Sequence, residues 1–270
     1  MSEARIIQNL ATLWDNIDRL CTPLSEEQWQ LSTDCPDWTV KDLVAHMTGS
    51  ECVLLGQPAP EHVPARAGTL PNVLAERNEV HVDYRRSQPS HVVLKEFREV
   101  TADRLRALRS LSEEEFSQRS WTPIGTGTYR DFMQMRIFDC YVHEQDIRRA
   151  IGQPGNLDGF LARHALRSAA ALITRVLGER VELPEGTTVV FNVAGATSER
   201  WGYIAQGTGL HPLPEAPDSP SAQLTLDFET FLRLVCGRME PQVALAEHQV
   251  RIQGDPVLGR EVLMHLNVLF

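Results

Sequence analysis

The stretch from Phe138 to Ala150, FDCYVHEQDIRRA, places Asp139, His143 and Asp146 at successive steps of four and three residues. On a helix this spacing stacks the three side chains in one row. Carboxylates and imidazoles are ligands for divalent cations, and they also pair with each other in ordinary i,i+4 contacts. The row is therefore either part of a metal site or a salt-bridged face on which Glu144, Asp146, Arg148 and Arg149 form a solvated cluster. Its surroundings argue for burial, since Phe132, Met133, Ile137, Phe138, Tyr141 and Val142 leave the first half of the helix little polar surface. A buried carboxylate or imidazole needs a partner, and one divalent ion would satisfy both.

His46, in DLVAHMTGSE, is the natural third donor. Taken alone, a histidine amid Val44, Ala45 and Met47 reads as a hydrogen-bonded core residue. Beside Asp139 and His143 it completes a set of two imidazoles and one carboxylate on facing helices. Such a set leaves coordination positions open, as catalytic rather than structural zinc sites do. Nickel or iron would accept the same donors.

The elements that must position these residues are helices. Ile6, Leu10, Leu13, Trp14, Ile17 and Leu20 recur at three- and four-residue steps and make one amphipathic face. Thr39 and Asp42 have capping-box spacing and open a helix from about Val40 to Leu55, stopped by Gly56. A weaker helix covers Val73 to Arg86, a clear one Val92 to Leu111, and a last one Tyr129 to Ile151, closed by Gly152 and Pro154. Two echoes link them: LSEEQW with LSEEEF, and TVKDL with TYRDF. Either these are the common signal of a helix start, or they mark two helical hairpins packed as a four-helix bundle, with His46 and the Asp139 row on equivalent helices. After the Gly/Pro-rich joint GQPGNLDG comes a helix from Phe160 to Leu177. The strand-like segments TTVVFNV, RWGYIAQ and AQLTLDF follow it. ETFLRLVCGR and PVLGREVLMHLNVLF read as helices with VRIQGD between them as strand and turn, so this half is an α+β domain.

The totals narrow the function classes. With 270 residues, two domains are expected, from 1 to 152 and from 157 to 270. A net charge of −10 argues against a nucleic-acid or anionic-membrane surface. Neither the charged, amphipathic N-terminus nor any later run has the apolar continuity of a signal peptide or membrane span, and a cytoplasmic protein is expected. The five cysteines are scattered, without a C-x-x-C pair, so neither a disulfide framework nor a zinc ribbon is indicated. Cys35, in STDCPDW, reads as incidental or buried before it reads as a reactive thiol.

CPDWTVKDLVAHMTGSE and MRIFDCYVHEQDIRRAIGQPG resemble the two signatures of the mycothiol-dependent maleylpyruvate isomerase family, within the DinB-like superfamily of metal-binding four-helix bundles. The C-terminal half is similar to the sterol-carrier-type α+β domain attached to many of its members, with VRIQGDPVLGREVL and FLRLVCGR as its best matches. The resemblance implies an α+β two-domain protein whose metal is held by His46, Asp139 and His143. Asp139 stands where the characterised pattern has glutamate; its shorter arm draws the metal toward the helix or recruits water. Asp146 then falls where it would orient His143 or a metal-bound water.

The resemblance further implies a zinc-type centre, with mycothiol as the thiol cosubstrate and a small electrophile as substrate. Addition of the thiol to a cis double bond, rotation and loss of the thiol would isomerise maleylpyruvate. The same activated thiol would serve a transferase. Substrate carboxylates need cations, and Arg238 is the first choice, before Arg136, Arg85 and Arg86; Trp38 and Trp201 are core residues or apolar walls. Two rivals stand beside this reading. One is a carrier of a small apolar ligand or lipid on an inert or metal-bound bundle. The other is a metal-dependent hydrolase with Glu144 or Asp146 as base. A monomer and a homodimer are both compatible with the sequence.

Overall fold

The structure is a computed structural model that describes residues 1–122, 125–207 and 209–268. The chain divides into two compact units, Met1–Gly155 and Asn156–Phe270. For the domains themselves we propose the limits 1–152 and 157–270.

The first unit is helical: α1 (Glu3–Cys21), α2 (Glu26–Trp29), α3 (Val40–Leu54), α4 (Val73–Arg86), α5 (Ser90–Ser110) and α6 (Glu113–Ser117). A hairpin of β1 (Arg119–Thr122) and β2 (Gly125–Thr128) then leads into α7 (Tyr129–Ala150). Helices α1, α3, α5 and α7 form the bundle, α1 packing on α5 and α7, α3 on the same two, and α4 lying against α3. The periodic face of α1 is buried as its spacing requires, from Ile6 through Leu20. Helices α3 and α7 carry few exposed positions, which is why polar residues on them end up inside. All four echoed start signals form complete capping boxes, at Ser25, Thr39, Ser112 and Thr128. The sequence repeat thus corresponds to a structural one: long helix, short capped helix, then a capped helix that carries site residues.

The second unit opens with α8 (Gly159–Arg180) and continues through β3 (Thr188–Ala194), β4 (Glu199–Gln206), β5 (Gly209–Pro212) and β6 (Ala222–Asp227). Helices α9 (Phe228–Val235) and α10 (Pro241–Ala246), strand β7 (Arg251–Gly254) and helix α11 (Pro256–Met264) complete it. The sheet order is β5-β4-β3-β6-β7, with β3 and β6 parallel and the other pairs antiparallel. Alternation in β6 sends Ala222, Leu224 and Leu226 into the core. This is the expected α+β architecture, with two helix ends corrected. The helix expected to reach Arg238 stops at Val235, because Gly237 turns at φ +62° and Arg238 N–H closes back on the Arg233 carbonyl. The last helix ends at Met264, and Val268 N–H instead bonds the Val235 carbonyl at 2.9 Å; the final two positions of that expected helix, Leu269 and Phe270, lie outside the described residues. Among the described residues no helix is long and apolar enough to cross a membrane.

Candidate metal centre

Helices α3 and α7 face each other and bring His46, Asp139 and His143 together, one donor atom from each lying within 4.8 Å of the others. His46 Nε2 is 3.5 Å from Asp139 Oδ2, and His143 Nε2 is 3.6 Å from Asp139 Oδ1. Both imidazoles are buried, at 6% and 5% exposure, whereas the Asp139 side chain is 36% exposed, so the cluster opens on the carboxylate side. The imidazole rings meet edge to face with centroids 5.0 Å apart. Trp38, from the turn before α3, covers them at 5.0 Å from His46 and 6.2 Å from His143.

The spacing suits a shared cation better than hydrogen bonding. Donor separations of 3.5 and 3.6 Å are too long for good N–H···O bonds. Tetrahedral zinc with ligands at about 2.0–2.1 Å separates its donors by roughly 3.3–3.4 Å; each imidazole approaches this distance to a different oxygen of Asp139, and one donor atom from each residue gathers within 4.8 Å. The protonation states suit it too. Burial pushes the His46 pKa down, outweighing the help of Asp139, which keeps the ring in its neutral, ligating form. For Asp139 burial acts upward, but Arg136, His143 and His46 together hold its pKa well below the usual carboxylate range.

A second layer fixes these groups. Asp146, fully buried, places Oδ2 3.2 Å from His143 Nδ1, which turns His143 Nε2 toward the cluster. Arg149 donates to Asp146 at 2.6 Å and to Asp34 at 2.6 Å, tying α7 to the turn that carries Trp38. Arg136 donates to Asp139 Oδ2 at 2.6 Å and to Glu51 Oε1 at 2.8 Å, while Arg104 donates to the other oxygen, Glu51 Oε2, at 3.1 Å. Glu51, on α3, thus holds two arginines from α5 and α7. Asp146→Asn, which keeps size but weakens the acceptor facing His143, is expected to reduce metal affinity roughly 10- to 100-fold in a competition titration with a chelating dye. Unchanged affinity would reduce Asp146 to a partner of Arg149.

The other residues singled out in the sequence have partners of their own. Arg136 is 6% exposed and committed to Glu51 and Asp139. Arg85 pairs with Glu96 at 2.5 Å, and Arg86 with Glu79, Asp83 and Asp42. These three serve the bundle's internal ion pairs. Arg238 lies in the second unit, where its guanidinium donates to the Cys236 carbonyl at 3.0 Å. Glu144 is fully buried and accepts from Arg148 and Asn16. The solvated face imagined around it does not exist, since Glu144 and Asp146 are both fully buried. Trp201 packs in an aromatic group with Phe191 and Phe231. Cys35 is half-buried in the turn beside Asp34.

Comparison with known proteins bears on this site. A family model described as the mycothiol maleylpyruvate isomerase N-terminal domain matches residues 10–148, and one described as the SCP-2 sterol transfer family matches residues 170–267. Among solved structures, the chain is similar to that of the mycothiol-dependent maleylpyruvate isomerase: TM-score 0.60 and 18% identity, covering 88% of this chain and 90% of that one. A histidine-to-alanine mutant of the mycothiol-dependent maleylpyruvate isomerase gives TM-score 0.61 and 17% identity, covering 94% and 93%. At these identities the likeness is one of fold. No curated protein matches the chain.

Proposed function

The chain belongs to the mycothiol maleylpyruvate isomerase N-terminal domain family, and from that membership we propose a metal-dependent enzyme in which mycothiol attacks a small electrophile. The reaction class is cis–trans isomerisation of an unsaturated oxo acid of the maleylpyruvate type. The observation that carries this reading is the meeting of His46, Asp139 and His143 at a partly open edge of the bundle.

A divalent cation held by these three donors, zinc in our proposal, supplies the positive charge that keeps a thiol deprotonated and nucleophilic at neutral pH. The chain's own residues do the rest. His46 stays neutral through burial, Asp146 fixes the His143 ring, Arg136 fixes Asp139, and Trp38 shields the imidazoles from bulk water. The thiolate sulfur adds to the carbon of the cis double bond farther from the oxo group, and the π pair moves into that conjugated carbonyl as an enolate, leaving a single bond that rotates. Expulsion of the thiolate restores the double bond as trans, so no atom is gained or lost. This reading places the protein in the cytoplasm, where thiols are kept reduced.

The test is conversion of maleylpyruvate to its trans isomer by metal-loaded protein, followed by absorbance with and without mycothiol. Turnover that ignores the thiol, or none at all, would sink the proposal. Arg238 is proposed as the cation for a substrate carboxylate. Arg238→Met is expected to raise KM roughly 10- to 100-fold with bound metal unchanged, and an unaltered KM would remove it from the scheme.

A further inference from the structure

His81, on α4, is 94% withdrawn from solvent, with 6% of its surface exposed. Its Nδ1 is buried without a hydrogen-bond partner among the described residues, which leaves the Nε2 side as the accessible edge of the ring. The ring lies against α3 at Gly49, where a methyl group would stand 2.4 Å from His81 Cβ and 3.0 Å from Nδ1. Gly49 is three residues beyond His46 on the same helix and therefore on nearly the same face. A glycine inside a helix is unfavourable relative to alanine. Here it makes room for an imidazole one turn from a proposed metal ligand. Arg85, whose guanidinium donates to the His81 carbonyl at 2.9 Å and to Glu96, holds that turn of α4 in place.

The ring's chemistry follows from this placement. Burial above all, and then the charge of Arg85, lowers the His81 pKa and keeps the ring neutral. A neutral imidazole carries one N–H, and an orphaned buried donor is less tolerated than an orphaned acceptor. The proton therefore belongs on Nε2, with Nδ1 as the sealed acceptor. We propose that His81 is a further substrate-binding residue of this site, its Nε2–H donating to a carboxylate or carbonyl oxygen of the small acidic electrophile. The proposal rests on the functional reading above, because it takes its ligand from that reading.

The test uses full-length, metal-loaded protein and succinate as an unreactive dicarboxylate probe. In wild-type protein labelled with 15N-histidine, the His81 signals are expected to show the Nε2–H tautomer and to move on adding succinate. His81→Phe keeps the ring against Gly49 but has no donor. It is expected to retain bound metal, to weaken succinate binding roughly 10- to 100-fold by calorimetry, and to lower kcat/KM for the thiol-dependent reaction through KM. His81→Gln, whose amide reaches the Nε2 position, restores most of the loss, and His81→Asn does not. Succinate affinity in His81→Phe within about twofold of wild type, loss of metal from that variant, or a wild-type Nδ1–H signal indifferent to succinate each overturns the proposal. Wild-type protein without thiol-dependent turnover refutes the functional reading instead, and the binding and 15N results still decide the role of His81.

Discussion

His143→Ala, purified beside wild type without added metal, is expected to lose its ion: about one equivalent in the wild type and less than about a tenth of one in the variant, by elemental mass spectrometry. The substitution removes one of three protein donors. His46 on α3 and Asp139 on α7 then remain as a two-donor set, too few to hold the ion tightly. Turnover with mycothiol is expected to fall by at least about 10³-fold, since an unactivated thiol is mostly protonated at neutral pH. The structural cost is smaller, because Asp146 keeps Arg149 as a partner at 2.6 Å. Circular dichroism should therefore show a folded bundle. Metal retained by the variant would return the Asp139–His143 row to an ordinary i,i+4 pair.

Much of this site could be read from residue types because helical periodicity is local. Asp139 and His143 are one turn apart whatever surrounds them, and the apolar neighbours of His46 fix its burial. The capping residues fixed where α3 and α7 begin, and so where each donor falls along its helix. Glu51, Arg104 and Arg136 were not legible in this way. Glu51 and Arg136 are separated by 85 residues and Glu51 and Arg104 by 53, so nothing in their spacing announces that one carboxylate will hold two guanidinium groups. Arg136 read as a candidate cation for a substrate carboxylate because most arginines are exposed and available. Trp38 looked like a core residue because its place over the imidazoles depends on a turn in which Asp37 adopts φ +64°. The β1–β2 hairpin escaped detection because GTGT carries no alternation of apolar side chains.

The short arm of Asp139 gains its physical sense from that hidden network. A shorter carboxylate has less reach, and here Arg136 holds Oδ2 at 2.6 Å while His46 Nε2 lies 3.5 Å from that oxygen and His143 Nε2 lies 3.6 Å from Oδ1. The guanidinium fixes the position of a short arm that would otherwise be poorly determined. Asp139 is thus shared between an internal cation and the donor cluster, and Glu51 behind it keeps Arg136 from withdrawing.

Removal of that support should damage the fold itself. Glu51→Leu leaves Arg104 and Arg136, which are 2% and 6% exposed, without their shared carboxylate. Breaking a buried ion pair from one side costs about 3–5 kcal/mol, because the remaining charge stays desolvated. For a chain of this size the thermal midpoint of the bundle should fall by roughly 6–20 °C. Removing the whole set in Glu51→Leu/Arg104→Met/Arg136→Met should recover most of that loss, since neither buried guanidinium is left without its carboxylate and Asp139, with its side chain 36% exposed, can be solvated. Metal affinity should not recover with it, because Asp139 has then lost the guanidinium that orients it. Calorimetric unfolding and metal titration of the three proteins separate the two roles. If stability and affinity recover together, the arginines serve the fold alone. If the triple variant remains as unstable as the single one, shape rather than unpaired charge sets the cost at Glu51.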